Sequence, residues 1–100
     1  MCGRYSITTP ADALQKLFAF ADPLPNLAPR YNLAPRQEAP VLRLDSAASS
    51  PCRRLAMLRW GHVPAWAKDA TMGDRMINAR AETVEDRPGF RAAFRQRRCL

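Results

Sequence analysis

The stretch that decides the fold is Val41 to Trp60, VLRLDSAASSPCRRLAMLRW. Val41 to Leu44 reads as a strand, and Leu55 to Trp60 as the second strand of the pair. The small, polar segment DSAASSPC between them reads as an exposed hairpin connection. Working toward the N-terminus, residues 3–8 (GRYSIT) are β-leaning and make a candidate first strand. Thr9 then stands where an N-cap would, with Pro10 at the first helical position and Asp12 at the third. Leu14, Leu17, Phe18 and Ala21 follow at i, i+3, i+4 and i+7, so the spacing predicts a helix over about residues 10–20. Residues 22–37 carry Pro23, Pro25, Pro29 and Pro35, which predicts an extended or looped segment long enough to serve a function if ordered.

Toward the C-terminus, residues 61–75 hold Gly61, Pro64 and Gly73 and read as irregular, while Met76 to Asn78 is short and β-leaning. Asp86 can cap a last helix with Pro88 in its first turn and Phe90, Ala93 and Phe94 facing a core. Arg87, Arg91, Arg95 and Arg98 follow one another at helical spacings along another stripe. Such a stripe suits a phosphate-facing edge, and equally a solvated helix face. The final residues, RRCL, read as the opening of a further strand. The expected class is therefore α+β, with two helices and about four strands paired mainly antiparallel.

Composition narrows the function classes. Leu, Ile, Val and Phe together make only 19 of 100 residues, near the ~20% level below which charged chains tend toward disorder. A core is possible but thin. No apolar run approaches the ~20 residues of a membrane helix, and MCGRYSITTP has no signal-peptide h-region. A cytoplasmic protein is expected, nucleoid-associated if bacterial. The net charge is +7, and 14 of the 16 basic residues are Arg. This field suits a polyanionic partner, and guanidinium forks match phosphate. Three cysteines, Cys2, Cys52 and Cys99, show no CxxC spacing, and His62 is the sole histidine. A disulfide scaffold and a zinc site are both disfavoured, and neither metal nor cofactor is expected. Cys52 and Cys99 are most simply small apolar side chains.

Cys2 is different. If Met1 is removed, the chain begins with a 1,2-aminothiol. An α-amine with a reference pKa of about 7.7–8.0 is partly unprotonated at neutral pH and can form an imine with an aldehyde. The thiolate can then close on the imine carbon to give a five-membered thiazolidine. The same amine could instead activate its own thiol as a nucleophile. By position alone, a chance cysteine is the simpler account.

The motifs change that balance. MCGRY at residues 1–5, RYNLAP at 30–35, RWGHVPAW at 59–66, INARAET at 77–83 and then FRAAF and RRCL occur in that order. Together they resemble the SRAP family, the SOS response-associated peptidases or abasic-site processing proteins, over nearly the whole chain. The resemblance implies a barrel-like, curved antiparallel sheet with short helices. It implies binding of single-stranded DNA and a covalent thiazolidine link between the N-terminal cysteine and the ring-opened aldehyde of an abasic site. Met1 removal would be autocatalytic, hence the peptidase name.

By this likeness Cys2 is the crosslinking nucleophile, and Asn32 is an active-site amide that can orient amine and aldehyde without acting as a base. Arg4, Asn78 and Arg80 match positions that hold the DNA near the reacting sugar, and Trp66 an aromatic that packs against bases. Pro35 and Gly61 would shape the channel. Asn32 could otherwise be a turn residue, and Arg80 could pair with Glu82 or Asp74. Trp60 reads as core or pocket wall.

The family's catalytic glutamate belongs to a GxxEW-type segment and its histidine to an HxRMP-like segment. Neither occurs in residues 1–100. His62, Glu82 and Glu85 are no substitutes by motif. Residues 1–100 thus read as the N-terminal part of a single SRAP domain, to be completed by a C-terminal half or a dimer partner. Without that acid and base, neither self-processing nor crosslink reversal is expected of these residues, whereas slow aldehyde trapping is. Two other functions compete. One is a non-catalytic basic module, or inactive fragment, that binds nucleic acid indifferently to Cys2. The other is a thiol peptidase acting on separate proteins, which no Cys–His motif supports.

Overall fold

The computed structural model describes residues 2–47 and 49–100. Expectations about Met1, including its removal, and about Ala48 in the hairpin connection lie outside the described residues. The order is β1 (Tyr5–Ile7), α1 (Ala11–Phe18), β2 (Arg30–Leu33), β3 (Glu38–Asp45), β4 (Cys52–Arg59), a 3-10 turn (Ala70–Asp74) and α2 (Arg91–Gln96). The chain is α+β, as expected.

The hairpin forms and is longer than its apolar runs. β3 and β4 pair antiparallel from Glu38 opposite Arg59 to Asp45 opposite Cys52. The register sets Arg43 against Arg54, a like-charge pair that is destabilising in isolation. Two carboxylates relieve it: Arg54 Nε donates to Asp22 at 2.8 Å, and Asp45 lies 3.9 Å from the same guanidinium. Asp22 also accepts the Leu55 backbone N–H at 2.7 Å. That backbone bond is the largest influence on the Asp22 carboxyl; desolvation opposes it, the Arg54 hydrogen bond and charge add to it, and the net result lies below the ordinary value, while Asp22 in turn raises Arg54.

α1 starts one residue later than the sequence suggests. Pro10 is the N-cap, in extended conformation and without a side-chain cap bond, so Thr9 stands outside the helix. The helix stops where Ala19 turns left-handed (φ 52°) and returns its N–H to the Gln15 carbonyl. Arg53 donates to the Phe18 carbonyl at 2.8 Å, and the Ala21 N–H reaches the Arg53 carbonyl at 3.1 Å. These bonds seat the helix end on β4.

The barrel-like, curved sheet is not present. The four strands form two separate two-stranded ribbons, β1–β2 and β3–β4. A closed barrel needs every strand paired on both edges, and among the described residues each strand has a single partner strand. Among the described residues the outer edge of β3 meets no strand: Leu42 and Leu100 exchange bonds of 2.7 and 3.1 Å, and the Arg30 guanidinium donates to the Glu38 carbonyl at 2.7 Å. Two further expectations fail locally. Met76 to Asn78 is not a strand; β2 is, within the proline-dense segment. Nor does Asp86 cap α2, whose N-cap is Phe90, so Arg87 and Arg98 fall outside the helix and the arginine stripe is broken. Arg98 instead stacks over the Phe94 ring at 5.1 Å.

The core is as thin as the composition suggests. Among the described residues the buried apolar side chains are Ala11, Phe20, Leu33 and Ala39, and Leu33 is the only large one fully enclosed. Leu17 and Leu44 stay 71% and 63% exposed. The accessible surface is 7659 Å², against about 5,700 Å² for a compact monomer of this length. The radius of gyration, 14.6 Å, likewise exceeds the ~13 Å of a compact 100-residue domain.

Candidate functional site

The sequence motifs converge because backbone bonds stitch them together. β1 pairs with β2, Tyr5 opposite Leu33, which brings MCGRY beside RYNLAP. The turn after β2 is tied to the end of β4: the Arg36 N–H reaches the Trp60 carbonyl and the Trp60 N–H the Gln37 carbonyl, both at 3.0 Å. Tyr5 meets Trp60 edge to face at 5.2 Å, and burial pushes its phenol upward against the opposing charge of Arg30. Trp60 in turn donates its ring N–H to the Ile77 carbonyl at 2.9 Å, and the His62 N–H binds the Met76 carbonyl at 2.9 Å. RWGH therefore positions INAR.

Two contacts close the arrangement. The Asn78 amide Nδ2 donates to the Cys2 carbonyl at 2.6 Å. Arg4 donates to Asn32 Oδ1 at 3.4 Å, the weak end of the hydrogen-bond range. A guanidinium only donates, so this contact turns the Asn32 oxygen toward Arg4 and leaves its NH₂ to face elsewhere. Cys2, Arg4 and Asn32 are exposed, and Asn78 is half-buried. Four of the six residues expected at the site thus form two adjoining pairs.

Trp66 and Arg80 stand beside them. They line one groove of about 510 Å³ together with Asn78, Met76, Arg87 and Phe90. Trp66 is 59% exposed. Among the described residues Arg80 has no ion pair with Glu82 or Asp74. Asp74 is taken by Arg36, at 3.5 Å, and by Arg59.

His62 has a structural task. Its Nε2 lies 2.8 Å from the Gly89 carbonyl and its ring stacks on Phe90 at 5.4 Å. A carbonyl only accepts, so Nε2 carries the hydrogen and pins the 87–90 turn against residues 76–78. Gly61, at φ 143°, packs its backbone on Gly73, so closely that a Cβ would sit 2.5 Å from the Gly73 carbonyl oxygen. Met76 and Tyr5 are not legible as site residues, whereas Arg87 is anticipated as a member of the arginine stripe. Tyr5 meets Trp60 and the Met76 carbonyl accepts from His62 across the sequence, contacts that no local spacing signals.

Among the described residues no helix is long and apolar enough to cross a membrane. The model of the SOS response-associated peptidase family matches residues 1–100. The Bacillus subtilis abasic site processing protein YoqW is 40% identical over 102 residues, covering all of this chain and 44% of YoqW. YobE of the same organism is 38% identical and 45% covered. The rat abasic site processing protein HMCES is 32% identical over 119 residues and 34% covered. The chain spans less than half the length of these curated relatives. With the family match running over every residue that builds the converging motifs, the chain belongs to the SOS response-associated peptidase family.

Proposed function

We propose that residues 1–100 act as the N-terminal part of a single SRAP domain that senses abasic sites in single-stranded DNA and traps them covalently through Cys2. The observation that carries this reading is the Asn78–Cys2 bond beside the Arg4–Asn32 pair. Asn78 fixes the backbone of residue 2, so the α-amine and Sγ are presented together at an exposed position. Arg4 keeps guanidinium donors free for a phosphate, and Asn32 offers its NH₂ to the sugar oxygens. The curated relatives carry the name abasic site processing protein.

The chemistry balances without a cofactor. Once Met1 is gone, the Cys2 amine adds to the C1′ aldehyde and water leaves, giving an imine. The thiolate adds to the imine carbon, the nitrogen takes the proton, and a thiazolidine results with one water released overall. Removal of Met1, the associated peptidase activity and any reversal of the link belong to the full domain, where an acid and a base would be supplied. The excess exposed surface and a β3 outer edge that pairs with no strand among the described residues support completion by further structure. So does the open groove of about 710 Å³ in which Leu17, Phe18, Leu42, Leu44 and Leu100 lie beside Arg43, Arg53 and Arg98.

The test is a denaturing-gel crosslinking assay on the Met1-processed chain. Expected is a shifted band with abasic single strands, none with the intact strand, and none with Cys2→Ala. Equal binding of both strands that ignores Cys2→Ala, with no covalent band, would replace this reading with the non-catalytic basic module.

A further inference from the structure

Trp66 borders two grooves. On one side lies the groove shared with Asn78, Arg80 and Arg87, which adjoins Cys2 through Asn78. On the other lies an open groove of about 670 Å³, lined with Trp66 by Lys68, Asp69, Thr71, Met72, Asp74 and Arg75. Building on the proposed function, we infer that this second groove holds the nucleotides flanking the reacting site on one side, with Lys68 and Arg75 on their phosphates and Trp66 at the crossing.

The electrostatics of the groove support the assignment. Its two carboxylates are already engaged. Asp69 accepts the Thr71 N–H at 2.8 Å, capping the 3-10 turn, and Asp74 is held by Arg36 and Arg59. Lys68 and Arg75 are exposed, and among the described residues neither has a carboxylate within ion-pair distance. The groove therefore offers two uncommitted cations, an exposed aromatic face and the half-open apolar side chain of Met72. That combination suits a single strand, whose phosphates follow the cations while a base stacks on the aromatic. It does not suit a duplex, which hides its base faces.

The experiment measures fluorescence anisotropy of the full 100-residue chain with two oligonucleotides. Each carries a non-reactive tetrahydrofuran abasic analogue near one end, with a single-stranded flank on either the 5′ or the 3′ side. Lys68→Ala combined with Arg75→Ala is expected to change the ratio of the two affinities about tenfold. It should also reduce the salt slope for the affected oligonucleotide by about 1.4, the share of two single-strand phosphates. Trp66→Ala should weaken both oligonucleotides. An unchanged ratio, or equal losses on both, would overturn the inference. If the wild-type chain crosslinks abasic DNA yet shows that result, only the second groove is refuted. If the wild type binds neither oligonucleotide, the proposed function fails and the inference with it.

Discussion

Gly61 provides the sharpest test of how the site is built. Its φ of 143° lies where side chains are strained, and an added Cβ would meet backbone: the Gly73 oxygen at 2.5 Å, its carbonyl carbon at 3.0 Å and its Cα at 3.4 Å. The strained conformation and the forced backbone shift together give Gly61→Ala a cost of roughly 2–5 kcal/mol. Domains in general have about 0.05–0.15 kcal/mol of stability per residue, so this is a large share for 100 residues. Two other glycines calibrate the estimate. A Cβ at Gly73 would sit 3.1 Å from the Gly61 oxygen and the Val63 methyl, a milder conflict of about 1 kcal/mol. At Gly89 it would meet the end of the Met76 side chain, Cε at 2.7 Å and Sδ at 4.0 Å. That tip can swing away, and the gain from a stiffer unfolded chain leaves Gly89→Ala within about 0.5 kcal/mol of wild type. Urea unfolding should rank the three Gly61, Gly73, Gly89, with the Gly61 midpoint lowered by about 1–2 M. A Gly61→Ala variant as stable as wild type, or less damaged than Gly89→Ala, would refute the close backbone approach.

Other outcomes follow from single contacts. Leu33→Ala removes a large, fully enclosed side chain and should cost about 2–5 kcal/mol, read by the same urea titration; a loss below about 1 kcal/mol would contradict the packing. Asn78→Ala loses the bond to the Cys2 carbonyl. Adduct formation should slow by about 2–10-fold, the kinetic equivalent of one net hydrogen bond, with little change in unfolding; an unchanged rate would remove Asn78 from the positioning role. Asp22 has its carboxyl held below the unfolded 3.8, so its stabilisation is full above that value and is lost as pH falls through the folded one. Asp22→Asn should therefore be less stable than wild type at neutral pH, and the gap should close in acid; a gap constant across that range would contradict the linkage.

What the sequence reveals depends on whether the determining contacts are local. The α1 spacing and the β3–β4 hairpin are local signals, and both elements form, shifted by one to three residues at their ends. β2 is hidden because its pairing with β1 is long-range and Pro29 and Pro35 flank it. A proline just outside a strand removes no ladder bond, so the proline density there was misleading. Met76 to Asn78 looks β-leaning yet takes its bonds from Trp60 and His62 instead of a neighbouring strand. The barrel came from family likeness alone, and two two-stranded ribbons stand in its place. The proximity of Cys2, Arg4, Asn32 and Asn78 likewise came from motifs. No spacing rule links residues 2 and 78, whose bond depends on the intervening stitching by Trp60.

Whether the amine and thiol of Cys2 react together is read directly by intact-mass spectrometry with thiol alkylation. The Met1-processed chain is incubated with abasic single-stranded DNA without any reductant, then denatured and alkylated. Thiazolidine formation gives an adduct equal to protein plus oligonucleotide minus one water. It should take up two alkyl groups, on Cys52 and Cys99, where the free protein takes three. An adduct that still takes three would mean an imine with a free thiol, and no adduct at all would mean that Cys2 does not trap the aldehyde; either result contradicts the account.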